Sequence, residues 1–230
     1  AHEDVILPEV YSNRLMARLA KLMKKAEGLA RTEMEKTRLQ LERLLFDHLQ
    51  CYVDMEKAKQ RCEYRRAADL LARMMELNQA ANEITPFMGY RPYAVYDMDW
   101  EKKRMENLLA KTDGKEGRLI TVMPREARFR IDPHGDGIHA RWQDAAHDDS
   151  DWKRVSTTRG WQEHGLRDEE GHPYKGLAWY RVHVDVPEGA AVDRARLLAP
   201  AAINEIWVWV NGSYAGRRPY KSPWFRPQTL

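Results

Sequence analysis

The sequence predicts an α+β protein in two parts, an N-terminal antiparallel helical bundle over residues 1–112 and an antiparallel β-sandwich over residues 113–230. The uneven composition predicts this division. All 8 tryptophans lie at or after Trp100, 11 of the 13 glycines lie at or after Gly114, and 9 of the 10 methionines precede Met123. The first part is rich in Leu, Met, Ala, Glu, Lys and Arg, which favour helices, whereas Trp, Val, Gly and Pro suit strands and turns.

Length and composition exclude several classes of protein. The 230 residues (27.0 kDa) fit two domains of ordinary size. A hydrophobic fraction of 43% with 32% charged residues supports folded cores, and a mean hydropathy of −0.73 without a long apolar run excludes a membrane-spanning helix. The net charge of +3, spread over both signs, does not indicate binding to nucleic acid. We therefore expect neither a membrane nor a nucleic acid as a partner.

The two cysteines, Cys51 and Cys62, do not indicate a disulfide framework. On one helix they would lie about 16 Å apart, too far to bridge, whereas a turn between them would let them approach. Two cysteines alone do not supply the ligands of a zinc site, so a zinc site is not predicted. We expect no cofactor, with calcium as the one candidate ion.

Helices account for the first part. Pro8 suits the first turn of a helix. Gly28 weakens this same helix further along the chain. Thr32 with Glu35 predicts a capping box that begins a second helix. Apolar residues recur at steps of three and four along both segments: Val10, Leu15, Leu19, Leu22, Met23 and Ala26, then Leu39, Leu41, Leu44, Leu45, Leu49, Tyr52 and Val53.

A change of pattern predicts a helical hairpin with its turn at Gln60–Glu63, and a continuous helix over 32–82 is the alternative. Helix-breaking residues then end the helical run, and clustered tyrosines predict an irregular connector. Asp97 or Asp99 is expected to cap a short helix that runs to Leu109. The breakers are Pro86, Gly89 and Pro92, and the tyrosines are Tyr90, Tyr93 and Tyr96.

Short strands account for the second part. Asn211-Gly212 predicts a hairpin, and Met123-Pro124 and Asp132–Gly137 predict turns. Because no helical pattern separates the strands, we expect antiparallel sheets in a sandwich of jelly-roll type. The expected strands cover 119–122, 127–131, 138–142, 152–155, 178–186, 197–199 and 203–210. After the hairpin turn, a last strand is expected to begin at Tyr214.

Four ordered motifs carry a family resemblance: Asp149–Trp152, Gly160–Glu163, Y-x-G-x-A-W-Y-R over 174–181, and V-W-V-N-G within 206–216. Their order and spacing resemble those of the sugar-binding, galactose-binding-like jelly-roll domain of glycoside hydrolase family 2, over residues 118–230. The resemblance implies a bacterial, carbohydrate-active context in which such a domain assists a separate catalytic barrel.

The helical half resembles the segment that follows a barrel in large uncharacterised bacterial glycoside-hydrolase-like proteins, on its helix pattern and its junction at Thr112–Gly114. The family pattern continues past the hairpin into a further core strand, whereas three prolines occupy the last 12 residues here. The chain also begins without Met and without a signal-peptide pattern. We therefore expect a piece of a longer polypeptide, with its sandwich truncated or completed by another segment.

One loop combines the groups that sugar recognition needs, which are aromatic rings for stacking and polar groups for hydroxyls. The expected carbohydrate-binding residues are Trp161, Gln162, Glu163, His164, Arg167 and Tyr174, with His172 in the same loop. In the alternative interpretation Trp161 and Tyr174 pack the edge of the sandwich. The face of Trp207 and Trp209 is expected in the core or against the helical half, and Tyr220, Trp224 and Phe225 are candidates for a domain interface.

Acidic residues in two places suggest weaker hypotheses. Glycoside hydrolysis needs two carboxylates on opposite sides of one sugar. Glu163 and Glu169, with Asp168 and Glu170 beside them, would supply such a pair. In the alternative interpretation these acids are simply solvated. Asp132 and Asp136 have the oxygen-rich spacing of a calcium loop, with a plain turn as the alternative. The candidate catalytic pair is therefore Glu163 with Glu169, and the candidate calcium ligands are Asp132 and Asp136.

These observations predict a non-catalytic, carbohydrate-associated segment of a larger, secreted or periplasmic glycoside hydrolase. Its partners would be a polysaccharide or oligosaccharide and the other domains of the parent chain. The alternatives are a purely structural module that binds no sugar, and a glycosidase that uses the acids of the 163–170 loop.

Overall fold

The structure, a computed structural model, describes residues 3–85, 93–114, 116–199, 205–219 and 228–229, without the side chains of 3–5, 93–98, 161–162 and 228–229. Its contacts form two compact units, Ala1–Arg118 and Leu119–Leu230. The sequence-predicted boundary at 112/113 lies just before this division. Helices lie in the first unit and short antiparallel strands in the second, so the protein is a mixed helix-and-sheet chain. None of the described helices is both long and apolar enough to cross a membrane.

Five helices are described in the first unit: α1 (Glu3–Val10), α2 (Asn13–Leu29), α3 (Glu33–Gln60), α4 (Tyr64–Ile84) and α5 (Tyr93–Thr112). The predicted stripe from Val10 to Ala26 is divided between α1 and α2, because the Ser12 side chain accepts a hydrogen bond from the backbone N–H of Leu15 at 3.3 Å and begins a new helix. Pro8 lies inside α1 rather than in the first turn that the sequence had predicted. Gly28 lies inside α2, close to its end.

The predicted capping box at the start of α3 is confirmed. The Thr32 hydroxyl accepts a hydrogen bond from the Glu35 N–H at 3.2 Å, and the Glu35 carboxylate accepts the N–H of Thr32 at 2.9 Å. The bonds that the carboxylate accepts from the backbone N–H groups of Thr32 and Arg31 hold the pKa of Glu35 below its usual value.

The predicted hairpin between α3 and α4 is also confirmed, and the alternative of a continuous helix is wrong. Cys62 takes the left-handed conformation (φ 59°), a position where glycine usually ends a helix. The N–H of Cys62 bonds to the Lys59 carbonyl, and the N–H of Glu63 bonds to the Ala58 carbonyl, both at 3.0 Å. These two bonds satisfy the carbonyls of Ala58 and Lys59 at the end of α3 without a glycine. Cys51 and Cys62 are both free thiols.

Helix α5 begins earlier than predicted. Tyr93 and Tyr96 belong to the helix rather than to an irregular connector, and Asp97 and Asp99 lie within it rather than at its cap. The other residues of the predicted connector, Pro86, Gly89, Tyr90 and Pro92, lie outside the described residues.

A buried ion cluster lies between α3 and α5. Lys59 Nζ is 2.7 Å from a carboxylate oxygen of Glu56 and 2.7 Å from one of Glu101, and Arg104 lies 3.4 Å from the other oxygen of Glu101. All four side chains are at most 15% exposed. The buried apolar core of the same unit includes Val53, Met55, Leu71, Met74, Leu77, Met105 and Leu108. Two cations and two anions thus neutralise one another inside an apolar core.

Seven strands are described in the second unit: β1 (Glu126–Asp132), β2 (Lys153–Ser156), β3 (Leu177–Arg181), β4 (Leu198–Ala199), β5 (Ile206–Val210), β6 (Ser213–Arg218) and β7 (Gln228–Thr229). They form three small sheets, ordered β2-β1-β3, β4-β7 and β5-β6. Every described ladder is antiparallel, as predicted.

Several predicted strands are shorter or missing. Residues 119–122 are not a strand in the structure, and 138–142 form turns. Strand β3 ends at Arg181, so the predicted strand over 178–186 is only half formed. The predicted Asn211-Gly212 hairpin is confirmed, with φ values of 49° and 83° that match the positive angles of a type I′ turn.

Candidate functional site

Asp132, at the end of β1, organises the turn that follows it. The side chain is buried, and its carboxylate accepts hydrogen bonds from the N–H of Asp136 at 2.8 Å, the N–H of Gly137 at 3.0 Å and the indole N–H of Trp179 at 2.9 Å. Burial raises the pKa of Asp132, but these bonds, with one from the N–H of Gly135, outweigh burial and hold the pKa below its usual value. The carboxylate therefore has a structural role, and calcium at Asp132 and Asp136 stays a prediction.

Gly137 is required by close packing rather than by its backbone angle. A Cβ atom at this position would lie 2.7 Å from Trp142 Cε3 and 2.7 Å from Trp179 Cε2, which is closer than carbon atoms pack. Its N–H also bonds to Asp132. The glycine allows the turn to lie against two indole rings.

We expect Gly137→Ala to lower the free energy of unfolding of the second unit by about 1–3 kcal/mol, because two indole rings must shift. Urea unfolding followed by tryptophan fluorescence measures the loss. Gly165→Ala is a useful comparison, since a Cβ there meets no atom within 4 Å although φ is 72°. A larger loss at Gly165 than at Gly137 would contradict the packing explanation.

The turns over 138–152 cover one face of the β2-β1-β3 sheet. That face presents Arg130 and Arg181, which pair with Asp151 at 3.2 Å and Asp149 at 2.9 Å. Arg130 also lies over the ring of Trp142, 5.1 Å from its centroid. These contacts hold the turns against charged side chains of the sheet and account for the missing strand at 138–142.

A chain of aromatic rings connects this sheet to the β5-β6 hairpin. Successive ring centroids lie 5.2 Å (Trp152–Trp142), 6.0 Å (Trp142–Trp179), 5.1 Å (Trp179–Trp209) and 5.5 Å (Trp209–Tyr214) apart. The chain begins at buried Trp152 and ends at Tyr214, which is 56% exposed. Rings in such contact pack each other firmly and fix the orientation of the exposed one.

The β5-β6 hairpin carries an exposed aromatic face. Trp207 pairs with Arg217 and Trp209 pairs with Tyr214, so these four side chains share one face. A register shift after Val208 makes Tyr214, rather than Ala215, the partner of Trp209. Trp209 is half-buried and packs against Trp179, whereas Trp207 is 39% exposed, so the expected core position is wrong for Trp207. We call Trp207, Tyr214 and Arg217 the hairpin platform.

The loop that was predicted to bind sugar folds into a small hairpin. The N–H of Gly171 bonds to the Asp168 carbonyl at 3.1 Å, the N–H of Asp168 to the His172 carbonyl at 2.9 Å, and the N–H of Tyr174 to the Leu166 carbonyl at 3.2 Å. Asp first and Gly fourth are typical of a type I turn. This hairpin follows the short 3₁₀ turn Trp161–His164.

The six predicted sugar-binding residues lie in different environments. Tyr174 is buried and its hydroxyl donates to the Leu177 carbonyl at 2.8 Å, so this ring is not available for stacking on a sugar. Burial raises the pKa of Tyr174. Arg167 donates to the Gly171 carbonyl at 2.7 Å, and a ring nitrogen of His164 lies 3.2 Å from the Ser156 carbonyl. Glu163 is exposed, and the side chains of Trp161 and Gln162 lie outside the described part of the structure.

Glu163 and Glu169, the candidate catalytic pair, are both exposed. General acid catalysis by a carboxyl group usually requires a protected environment that keeps it protonated near neutral pH. The exposed positions of Glu163 and Glu169 offer no such protection, and catalysis by this pair stays a prediction.

A set of possible metal ligands was not recognised from the sequence as a group. One ligand atom from each of Asp168, Glu170 and His172 lies within 4.8 Å of the others. His172 Nδ1 is 3.8 Å from an Asp168 oxygen and 3.7 Å from a Glu170 oxygen. The turn at Gly171 brings His172 back toward the acids, and these exposed side chains could together hold a metal ion.

Comparison with known proteins identifies no relative: no family model, no curated protein and no solved structure matches the chain. Function must therefore be inferred from the residues and their geometry.

Proposed function

We propose that the chain is an ancillary, carbohydrate-associated segment of a larger, secreted glycoside hydrolase, in which residues 119–230 hold a glycan for a separate catalytic domain. The ordered motifs over 149–152, 160–163, 174–181 and 206–216 support the proposal through their resemblance to the sugar-binding domain of glycoside hydrolase family 2. The jelly-roll sandwich is part of the same proposal, and the described antiparallel sheets are compatible with it.

The observation that carries the proposal is the hairpin platform. Trp207 and Tyr214 expose 39% and 56% of their surfaces, and Arg217 lies directly across the ladder from Trp207. Aromatic rings stack on the apolar C–H face of a pyranose, and a guanidinium group donates hydrogen bonds to its hydroxyls. Tyr214 rests on Trp209, so ordering this ring costs little entropy when a sugar binds.

Affinity electrophoresis through gels that contain single polysaccharides tests this proposal. We expect at least one polysaccharide to retard the chain, and Trp207→Ala to weaken the retardation by about tenfold or more, because stacking on an indole buries an apolar ring surface. Tyr180→Leu provides the control, since Tyr180 is 41% exposed but lies in the β2-β1-β3 sheet, away from the hairpin platform, where it packs on Phe129 of β1. If no polysaccharide retards the chain, the binding proposal is wrong and the purely structural module is the better account.

The catalytic alternative relies on Glu163 and Glu169 and has a separate test. A glycosidase would release the aryl group from aryl glycosides, and Glu163→Gln with Glu169→Gln would abolish that activity. Under our proposal the chain alone releases none. Activity that survives both substitutions would assign the chemistry to other residues.

Calcium binding is a further part of the proposal, and the described residues offer two places for it. Asp168, Glu170 and His172 form one candidate set, whereas the Asp132 carboxylate already accepts several hydrogen bonds. Thermal unfolding with calcium or with a chelator distinguishes the two. A stabilisation by calcium that Asp168→Asn removes would favour the loop, and one that persists in this variant would favour the predicted Asp132 and Asp136.

A further inference from the structure

Helix α2 is unusually basic for a helix that packs in a bundle. Five cations, Arg14, Arg18, Lys21, Lys24 and Lys25, occur in its 17 residues with a single acid, Glu27. Glu27 lies 3.6 Å from Arg43 of α3, so the one carboxylate of α2 is directed toward the bundle. All five cations of α2 are exposed, and none of them forms an ion pair within the described part of the chain.

Four of these cations form one continuous line. Positions 14, 18, 21 and 25 follow steps of four, three and four, which place side chains on a single helix face over three turns. We call these four residues the basic stripe. Like charges at such spacing repel each other and slightly destabilise a helix, so the arrangement gains nothing for folding. A set of carboxylates facing the stripe would relieve the repulsion.

Apolar side chains flank the basic stripe on one side. Leu22 follows Arg18 by four residues, Leu29 follows Lys25 by four, and the two leucines are 53% and 64% exposed. They lie seven residues apart, which is the repeat by which one helix anchors on another. Met34, just after the start of α3, is 65% exposed. Charged and apolar groups therefore run side by side along one edge of α2.

We propose that the basic stripe with Leu22 and Leu29 is a docking surface for an acidic amphipathic helix of another protein or domain. Glutamates spaced three and four apart on that helix would face the four cations, while leucine-like side chains would cover the two exposed leucines. This charge complementarity selects the partner and speeds the encounter, and the apolar contacts supply most of the affinity.

A lipid surface fits these residues less well. The apolar face of α2 is largely used inside the bundle, since Met16 is buried and Leu15, Leu19, Met23 and Ala26 are half-buried. Binding of a helix to a membrane surface scales with the apolar area that it inserts, and two exposed leucines offer little. Their helical spacing instead matches the ridge of a neighbouring helix.

Fluorescence anisotropy with a labelled acidic amphipathic peptide of about five helical turns tests the proposal. We expect the full chain to bind this peptide with an affinity that falls as salt is added. The triple variant Arg18→Gln, Lys21→Gln, Lys25→Gln should bind about tenfold or more weakly, because three charge contacts are lost. The matched control, Arg38→Gln, Lys102→Gln, Lys103→Gln, removes the same charge from exposed positions that form no ion pair with the residues that the structure describes, and should stay within about twofold of the unchanged protein.

Several outcomes would overturn the proposal. One is equal binding of a scrambled peptide of the same composition, which would mean that charge alone is recognised. Another is an equal loss in the control variant, and a third is absence of peptide binding. Preferential binding to vesicles that contain phosphatidylserine, compared with phosphatidylcholine alone, would assign the surface to a membrane instead. Circular dichroism of each variant confirms that the helices are retained.

Discussion

Lys59→Met is expected to lower the free energy of unfolding of the helical unit by about 3–5 kcal/mol. The ammonium group of Lys59 lies 2.7 Å from both Glu56 and Glu101, and these side chains are 12%, 6% and 11% exposed. Methionine fills similar volume but removes the ammonium group that both carboxylates share. Removing one partner of a buried ion pair is costly, and urea unfolding followed by far-ultraviolet circular dichroism measures that cost.

The same helix offers a matched control. Lys36 also pairs with a glutamate three residues earlier, Glu33, at 2.7 Å, but these side chains are 55% and 88% exposed. Lys36→Met should change the free energy of unfolding by less than about 0.5 kcal/mol, because water screens an exposed pair. Similar losses for the two variants would mean that burial of the Lys59 cluster does not determine its contribution.

Asp132→Asn is expected to lower the free energy of unfolding of the second unit by about 2–3 kcal/mol. The carboxylate accepts hydrogen bonds from the N–H groups of Asp136 and Gly137 and from the Trp179 indole, all at 2.8–3.0 Å. Asparagine has one acceptor oxygen, and its amide N–H₂ would face another donor. Urea unfolding monitored by tryptophan fluorescence detects the loss of stability. Asp136→Asn is the control, because the side chain of Asp136 is exposed.

The dependence on pH separates the charge of Asp132 from its shape. Because the folded state holds the pKa of Asp132 below its usual value, this carboxylate stabilises the fold above the ordinary value of about 3.9, and the stabilisation is lost as the pH falls through the lower, folded value. The difference in stability between the unchanged protein and Asp132→Asn should therefore be constant near neutral pH and shrink in acid. A difference that grows as the pH falls would be the opposite of this expectation.

Sequence signals that act over a few residues correctly predicted two features of the helical unit, the capping box of α3 and the hairpin between α3 and α4. Thr32 and Glu35 act within one turn, and the pattern change around Cys62 marked a real hairpin. The prediction from sequence was wrong at the start of α5, where tertiary structure rather than a local signal sets the helix boundary. Asp97 and Asp99 are good capping residues, yet α5 continues through both toward its N-terminus.

The strand region was harder to predict because period-two patterns do not identify the partner strand. Residues 138–142 alternate like a strand, but Trp142 and its neighbours cover the charged sheet face as turns. The hairpin platform depends on the register shift that pairs Trp209 with Tyr214, and a shift of this kind has no local sequence signal. The carbohydrate context stays a prediction from the motifs, whereas the exposed rings of Trp207 and Tyr214 are identified only by the structure.

The most direct test of the proposed function is calorimetric titration of the full chain with an oligosaccharide from the polysaccharide that retards it. Tyr214→Leu and Tyr180→Leu each remove one exposed ring that rests on another aromatic residue. If the hairpin platform holds the glycan, Tyr214→Leu raises Kd by about tenfold and Tyr180→Leu leaves Kd unchanged. An unchanged Kd for Tyr214→Leu, or an equal rise for both variants, would contradict sugar binding by this hairpin.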